Sequence, residues 1–185
     1  MRPDGTAEMR NMEMESKKAM WTLALGIALL PPLWAVLAPY IGITTGGVAL
    51  ICAGLFVANG NQYKNALKIF LGFLCGDIWA VSALRCMGRL PLSADLALFA
   101  TLFLFGALAV ILGTAFAKFI FLPSWLCGWA IGMTVLGPLG SGNFGSIPIQ
   151  IAVSMFVGVF YVGIGVDLFQ KSLLRLLEKP QRFRK

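Results

Sequence analysis

The residue best placed to do chemistry is Asp77, a carboxylate in the middle of a long apolar run. That run, residues 66–87, reads ALKIFLGFLCGDIWAVSALRCM and is long enough to cross a bilayer, so Asp77 falls near the membrane midplane. A carboxylate there costs about 2.5–3.5 kcal/mol on insertion scales, and such residues usually face the bundle interior or a water-filled path. Two interpretations are open. Asp77 lies on a solute path, or it is a neutral carboxyl group that bonds to a neighbouring carbonyl or hydroxyl group and only stabilises packing.

The other groups that catalysis would need are missing from the sequence. It contains no histidine, no Walker loop, no G-x-S-x-G motif and no carboxylate pair. Its four cysteines have no C-x-x-C spacing, which argues against a zinc site or a disulfide framework. They are Cys52, Cys75, Cys86 and Cys127. We therefore expect no enzyme activity, no catalytic residue, no cofactor and no metal.

The composition is that of an integral membrane protein. Of the 185 residues, 58% are hydrophobic and only 12% are charged, and the mean hydropathy is +0.82. A soluble domain carries about 25% charged residues, so lipid must surround most of this chain. The net charge of +7 does not indicate nucleic-acid binding, because the positive residues lie at the ends of apolar runs and form no basic stripe with aromatics.

Apolar runs predict an all-α integral membrane protein with six transmembrane helices. A transmembrane helix needs about 20 mostly apolar residues, and six stretches approach or exceed this length. They are 19–39, 41–58, 66–87, 95–117, 120–137 and 148–172. Between the first two runs we expect a tight turn at Pro39, and one long tilted helix is the alternative.

The positive charges predict the orientation of the chain. With six spans, all 15 lysine and arginine residues except Arg85 and Arg89 fall on the side of the two termini. Because positive loops remain in the cytoplasm, we expect both termini there. The chain then divides into a polar cytoplasmic tail (1–18), a single transmembrane domain (19–172) and a basic cytoplasmic tail (173–185). The basic tail is interpreted as a topology determinant, with binding to anionic lipid head groups as the alternative.

Two stretches suggest an internal repeat: NGNQYKNALK from Asn59 and SGNFGSIPIQ from Ser141. A constant shift of 82 residues superimposes them without a gap, so that each half holds three helices. An odd number of spans inverts the second half, which predicts a 3+3 inverted-topology repeat about an axis in the membrane plane. The shift pairs Gly46 with Gly128, Gly60-Asn61 with Gly142-Asn143, Gly72 with Ser154, Gly76 with Gly158, and Trp79 with Tyr161. Chance is the alternative, because 21 residues are glycine.

Small residues predict where the helices pack. Gly72 and Gly76 are four residues apart in the third run, as are Ser154 and Gly158 in the sixth. Such pairs let two helix backbones approach closely in lipid. We expect the third and sixth helices to cross through these faces, near the pseudo-two-fold axis.

Other polar or helix-breaking residues have simpler interpretations. Pro31-Pro32 is expected to break the first helix. Asp167 lies four residues before Lys171, which predicts an ordinary i,i+4 ion pair. Arg85 is interpreted as an anchor at the membrane interface.

The chain also resembles a known family. The stretch CAGLFVANGNQYKNALKIFLGFLCGDIWA, from Cys52 to Ala80, and LPSWLCGWAIGMTVLGPLGSGNF, from Leu122 to Phe144, carry the likeness. Both are similar to the YcdZ-like family of small bacterial inner-membrane proteins, a domain family of unknown function. The resemblance implies a multi-pass architecture and a location in the bacterial inner membrane, but no activity.

Two functions from different classes follow. The first is a small channel or transporter for a small neutral or cationic solute, with the path between the inverted halves and a homo-oligomeric assembly. Its expected path residues are Asp77, Gly76, Gly158, Asn61, Asn143, Trp79 and Tyr161, and Gly72 and Ser154 are expected to serve helix packing. The second is a non-transporting assembly subunit that docks a membrane partner through its small-residue faces.

Overall fold

The computed structural model describes residues 5–178, and all regular structure in that range is helical. The helices are α1 (Gly5–Leu37), α2 (Val48–Ala58), α3 (Tyr63–Met87), α4 (Ala94–Ala115), α5 (Leu122–Leu136) and α6 (Ile147–Phe156). A π-helical segment (Val157–Ile164) and α7 (Gly165–Glu178) continue α6 without a break. Short 3-10 turns, Ala38–Ile41 and Gly137–Leu139, follow α1 and α5. The predicted all-α class is confirmed, with six helical rods.

Five of these rods, rather than the expected six, are long and apolar enough to cross a membrane in the described part of the chain. The exception is α2, whose 11 residues rise only about 16 Å, roughly half the hydrocarbon thickness. The prediction placed a span over 41–58. The helix begins only at Val48, because the preceding GITTGG stretch contains Gly42 in a left-handed conformation (φ 78°) and two adjacent threonines. The turn predicted between the first two runs is nevertheless present.

The first helix does not break at Pro31-Pro32, so that prediction is wrong. Both prolines lie inside α1, which continues to Leu37 and is followed by the turn Ala38–Ile41, which contains Pro39. Membrane helices tolerate internal proline because neighbouring groups accommodate the freed backbone carbonyls. Close to the prolines, Trp34 Nε1 donates a 3.1 Å hydrogen bond to Gly46 O and joins α1 to the loop before α2.

Several contacts define the two ends of the bundle. At one end Gln170 Nε2 donates to Ala19 O over 2.9 Å, and we call this the tail end because α1 begins and α7 finishes there. At the opposite loop end, Gly88 lies against Ser141. The third and sixth rods are antiparallel, since Tyr63 contacts Asp167 whereas Phe70 contacts Phe160, with ring centroids 5.7 Å apart.

Candidate functional site

Asp77 lies on α3 with 5% of its surface exposed. Within residues 5–178, its buried Oδ1 atom has no hydrogen-bond partner. The carboxyl group lies against Gly132 of α5, and a Cβ atom at Gly132 would be 3.5 Å from Oδ1. A buried polar atom without a partner costs free energy, so this group is a candidate for binding something outside the described fold.

The surface that supports Asp77 is an interface between α3 and α5. Gly72, Gly76 and Ala80 of α3 face Ser124, Gly128 and Gly132 of α5. A Cβ atom at Gly72 would lie 2.7 Å from Phe121 O, and one at Gly128 would lie 3.0 Å from Phe73 Cα. The two helices run in the same direction, because the contacting residue numbers rise together. Their backbones touch, as small-residue faces allow in lipid.

A second interface of the same kind joins α2 to the sixth rod. Thr45 Oγ1 and Ser154 Oγ are 3.3 Å apart. A Cβ atom at Gly158 would lie 2.7 Å from Cys52 Cβ and 2.8 Å from Ala49 Cα. These two rods are also parallel.

The two small-residue faces therefore do not meet each other, contrary to prediction. Gly72 and Gly76 pack on α5, and Ser154 and Gly158 pack on α2 and its preceding loop. The third and sixth helices touch instead through Phe70, whose ring centroid lies 5.5 Å from the ring centroid of Phe156. A small-x-x-x-small pattern shows that a helix has a close partner but does not identify it.

Polar side chains surround the α2–α6 interface at the loop end. Gln150 Oε1 accepts hydrogen bonds from Thr44 N and Thr44 Oγ1, each 2.9 Å long. Gln150 Nε2 donates to Ser146 Oγ over 3.1 Å. These bonds hold the irregular loop before α2 against α6.

A second polar group, the Asp167 cluster, lies at the tail end and consists of Asn61, Tyr63, Asp167 and Lys171. Asp167 is 5% exposed and forms a 2.6 Å ion pair with Lys171 Nζ, so the expected i,i+4 pair is present. Its carboxylate also accepts hydrogen bonds from the Tyr63 hydroxyl group and from Asn61 Nδ2, the latter 3.4 Å long. Lys171 Nζ lies 4.8 Å from the centre of the Tyr63 ring. Sequence reasoning missed Tyr63, because its partner is 104 residues away.

The remaining expected path residues are dispersed. Trp79 Nε1 donates to Phe105 O over 3.1 Å, which ties α3 to α4. Tyr161 lines an outward groove with Leu33 and Trp34 of α1. Asn143 is exposed, and its Oδ1 accepts a 3.0 Å bond from Gly145 N within its own loop. The structure thus groups Gly76 with Asp77 but does not gather all seven residues around one channel.

Between the two interfaces the interior is filled with apolar side chains. Ile69 and Phe73 of α3, Met155 of α6 and Val159 of the π-helical segment are fully buried and belong to one core cluster. A path between the two interfaces would require these side chains to move apart.

The described residues form five long apolar helices and one short apolar helix, with a buried carboxylate between two rods. This arrangement defines a helical protein of the multi-pass membrane class. The chain belongs to the DUF1097 family, described as a protein of unknown function, whose family model matches residues 24–171. The match supports one part of the resemblance found in the sequence, namely membership of an uncharacterised domain family. No curated protein and no solved structure matches the chain significantly.

Proposed function

We propose that this protein is a small channel or transporter for a small neutral or cationic solute, with its path between two inverted three-helix halves. The observation that carries the proposal is Asp77, a buried carboxyl group with a free oxygen atom at a helix interface. Ionisable residues inside a membrane bundle are costly and commonly mark solute or proton pathways. A free acceptor of this kind suits a ligand that donates a hydrogen bond or carries positive charge.

Reciprocal contacts support the inverted repeat. In the first half α2 packs on the sixth rod, and in the second half α5 packs on α3. In the same way, α1 of the first half packs on α7, which belongs to the sixth rod, and α4 of the second half packs on α3. These are the pairs that a pseudo-two-fold axis would exchange.

Individual residues follow the same exchange. The contact of Thr45 with Ser154 corresponds to that of Ser124 with Gly72. The contact of Ala49 with Gly158 corresponds to that of Gly128 with Gly76. Up to Gly158 the third and sixth rods retain the shift of 82, but the second and fifth rods correspond at a shift of 79. We therefore replace the gapless pairing of Gly46 with Gly128 by a pairing of Ala49 with Gly128.

The rest of the proposal concerns assembly and location. A bundle of six rods leaves little room for a path within one protomer, which favours a narrow path in a homo-oligomer. The excess of lysine and arginine at the tail end favours cytoplasmic termini, and the resemblance to the YcdZ-like family favours a bacterial inner membrane. Among the described residues no hydrogen bond or ion pair joins Asp77 to a second side chain, and we propose transport and not catalysis.

The packed interior favours a second candidate, a non-transporting assembly subunit. Met155, Val159 and Phe73 fill the space between the halves, as they would in a protein that has no path to open. Because both small-residue faces are occupied within the protomer, a docked partner would have to use a different face from the one expected.

Stopped-flow light scattering on proteoliposomes tests the proposal. The panel is urea, ammonia, methylamine, acetate and glycerol, with wild type beside Asp77→Asn. Asp95→Asn is the matched control, because Asp95 is an exposed carboxylate in the first turn of α4. We expect selective flux that Asp77→Asn abolishes and Asp95→Asn preserves. If no solute in the panel entered the proteoliposomes faster than it enters empty liposomes, the result would favour the assembly subunit.

A further inference from the structure

The sixth rod contains an unusual segment at its centre. Val157–Ile164 is π-helical, whereas the segments before and after it are α-helical. π-helical turns are rare and frequently occur at functional sites. Here the segment lies on the α2 interface, because Gly158 packs on Ala49 and Gly163 packs on Phe56.

The spacing of the two glycines explains why the wider turn is needed. Positions five apart in an α-helix point about 140° away from each other, whereas positions four apart differ by only about 40°. Gly158 and Gly163 are five apart, yet both lie against α2: a Cβ atom at Gly163 would be 2.8 Å from Phe56 Cδ1. The π-helical geometry accommodates one extra residue and keeps both glycines on the same face.

The Asp167 cluster lies one turn beyond this segment. Asp167 and Lys171 belong to α7, whereas Asn61 precedes α3 and Tyr63 begins it. The cluster therefore fixes the rotation of α7 relative to α3. Two polar atoms at the same end, Asn59 Nδ2 and Asn61 Oδ1, are buried without a partner among the described residues, and Asn61 belongs to the cluster itself.

We propose that Val157–Ile164 is the hinge, and the Asp167 cluster the latch, of a gate at the tail end of the bundle. Relaxation of the π-helical segment to α-helix would advance α7 by one residue, which rotates it about 100° and shifts it about 1.5 Å. Asp167 would then leave Tyr63 and Asn61, and the asparagine side chains would become accessible. The inference rests on the proposed function, because the gate controls entry to the proposed path.

Amide hydrogen exchange of the full chain in nanodiscs tests the latch without any solute. Tyr63→Phe removes the hydroxyl donor to Asp167 and keeps the ring. Losing a hydrogen bond to a charged acceptor should speed exchange across residues 164–171 by about tenfold or more. The matched control is Tyr40→Phe, because Tyr40 is 84% exposed at the loop end. Equal exchange in Tyr63→Phe and wild type would overturn the latch.

Deletion of Tyr161 tests the hinge. It brings Gly158 and Gly163 four residues apart, so that an ordinary α-helix can hold both against α2 while Asp167 keeps its place. We expect the amide hydrogens of residues 164–171 to exchange more slowly in the deletion variant than in wild type. We also expect Tyr63→Phe to change this exchange little when it is combined with the deletion. If Tyr63→Phe raised the exchange rate about tenfold both in wild type and in the deletion variant, the change would be local fraying of α7, and the hinge would be overturned. A gate confirmed by exchange, together with no flux for any solute, would instead count against the proposed function alone.

Discussion

Asp77 and Gly132 face each other across the parallel α3–α5 pair, with Asp77 Oδ1 3.5 Å from the position that a Cβ atom at Gly132 would occupy. The carboxyl group is thus buried where two helix backbones are already in contact. Its position has two consequences. The interface around it should tolerate no added volume, and the carboxyl group itself should contribute little to stability.

The first prediction concerns the close approach of α3 and α5. A Cβ atom at Gly76 would overlap the backbone of Trp125, Gly128 and Trp129, which leaves no flexible side chain to move aside. We expect Gly76→Ala to lower the free energy of unfolding by about 1–3 kcal/mol or more, measured by denaturant titration in detergent.

Gly54→Ala is the control for that experiment. Gly54 lies on α2, and no heavy atom of the described chain outside its own helix lies within 4 Å of an added Cβ atom. Alanine favours the helix, so this variant should lie within about 1 kcal/mol of wild type, on the stabilising side. Equal destabilisation by the two substitutions would show that the α3–α5 contact is looser than the geometry indicates.

The second prediction separates function from stability at Asp77. Because Oδ1 has no partner within residues 5–178, Asp77→Asn removes no hydrogen bond from that atom. We expect the free energy of unfolding to change by less than about 1 kcal/mol while solute flux is lost. Thermal unfolding and flux should be measured on the same preparation. A large loss of stability would instead identify Asp77 as a packing residue.

Hydropathy alone was sufficient to predict most of the membrane architecture, because the long rods are continuous apolar runs bounded by polar residues. It overestimated α2, since the stretch before Val48 contains no charged residue to end the run, whereas its glycines and threonines do not continue a helix. The proline pair was misleading for the opposite reason: Pro31 and Pro32 break helices in water far more readily than in a bundle.

The site was harder to predict, because it depends on which rods become neighbours. The burial of Asp77 followed from its position in a span, and the closeness of Gly72 and Gly76 to a partner followed from their spacing. The identity of that partner, α5, did not. The Tyr63–Asp167 contact and the π-helical segment arise from packing between distant parts of the chain, and local patterns carry no signal for them.

The third prediction concerns the Asp167 carboxylate. It accepts hydrogen bonds from Tyr63 and Asn61 and forms an ion pair with Lys171, whose side chain is half exposed. Asp167→Asn should therefore lower the free energy of unfolding by about 1–3 kcal/mol, chiefly through the partly buried hydrogen bonds from Tyr63 and Asn61. The exposed Asp95→Asn should change it by less than about 0.5 kcal/mol. Equal effects in denaturant titration would mean that the cluster is solvated.

The last prediction concerns the loop end, where Gln150 holds the loop before α2. Its Oε1 atom accepts two bonds from Thr44, one of them from a backbone N–H. Gln150→Ala removes both bonds, but they are exposed, so water can take the place of the lost acceptor. We expect a loss of about 0.5–1.5 kcal/mol in the free energy of unfolding together with faster amide exchange over residues 42–47. Gln62→Ala is the control, since Gln62 is exposed and bonds only to Asn65 through its side chain within the described range. If the loop exchanged no faster in Gln150→Ala than in Gln62→Ala, the start of α2 would be held by Gly46 and Trp34 instead.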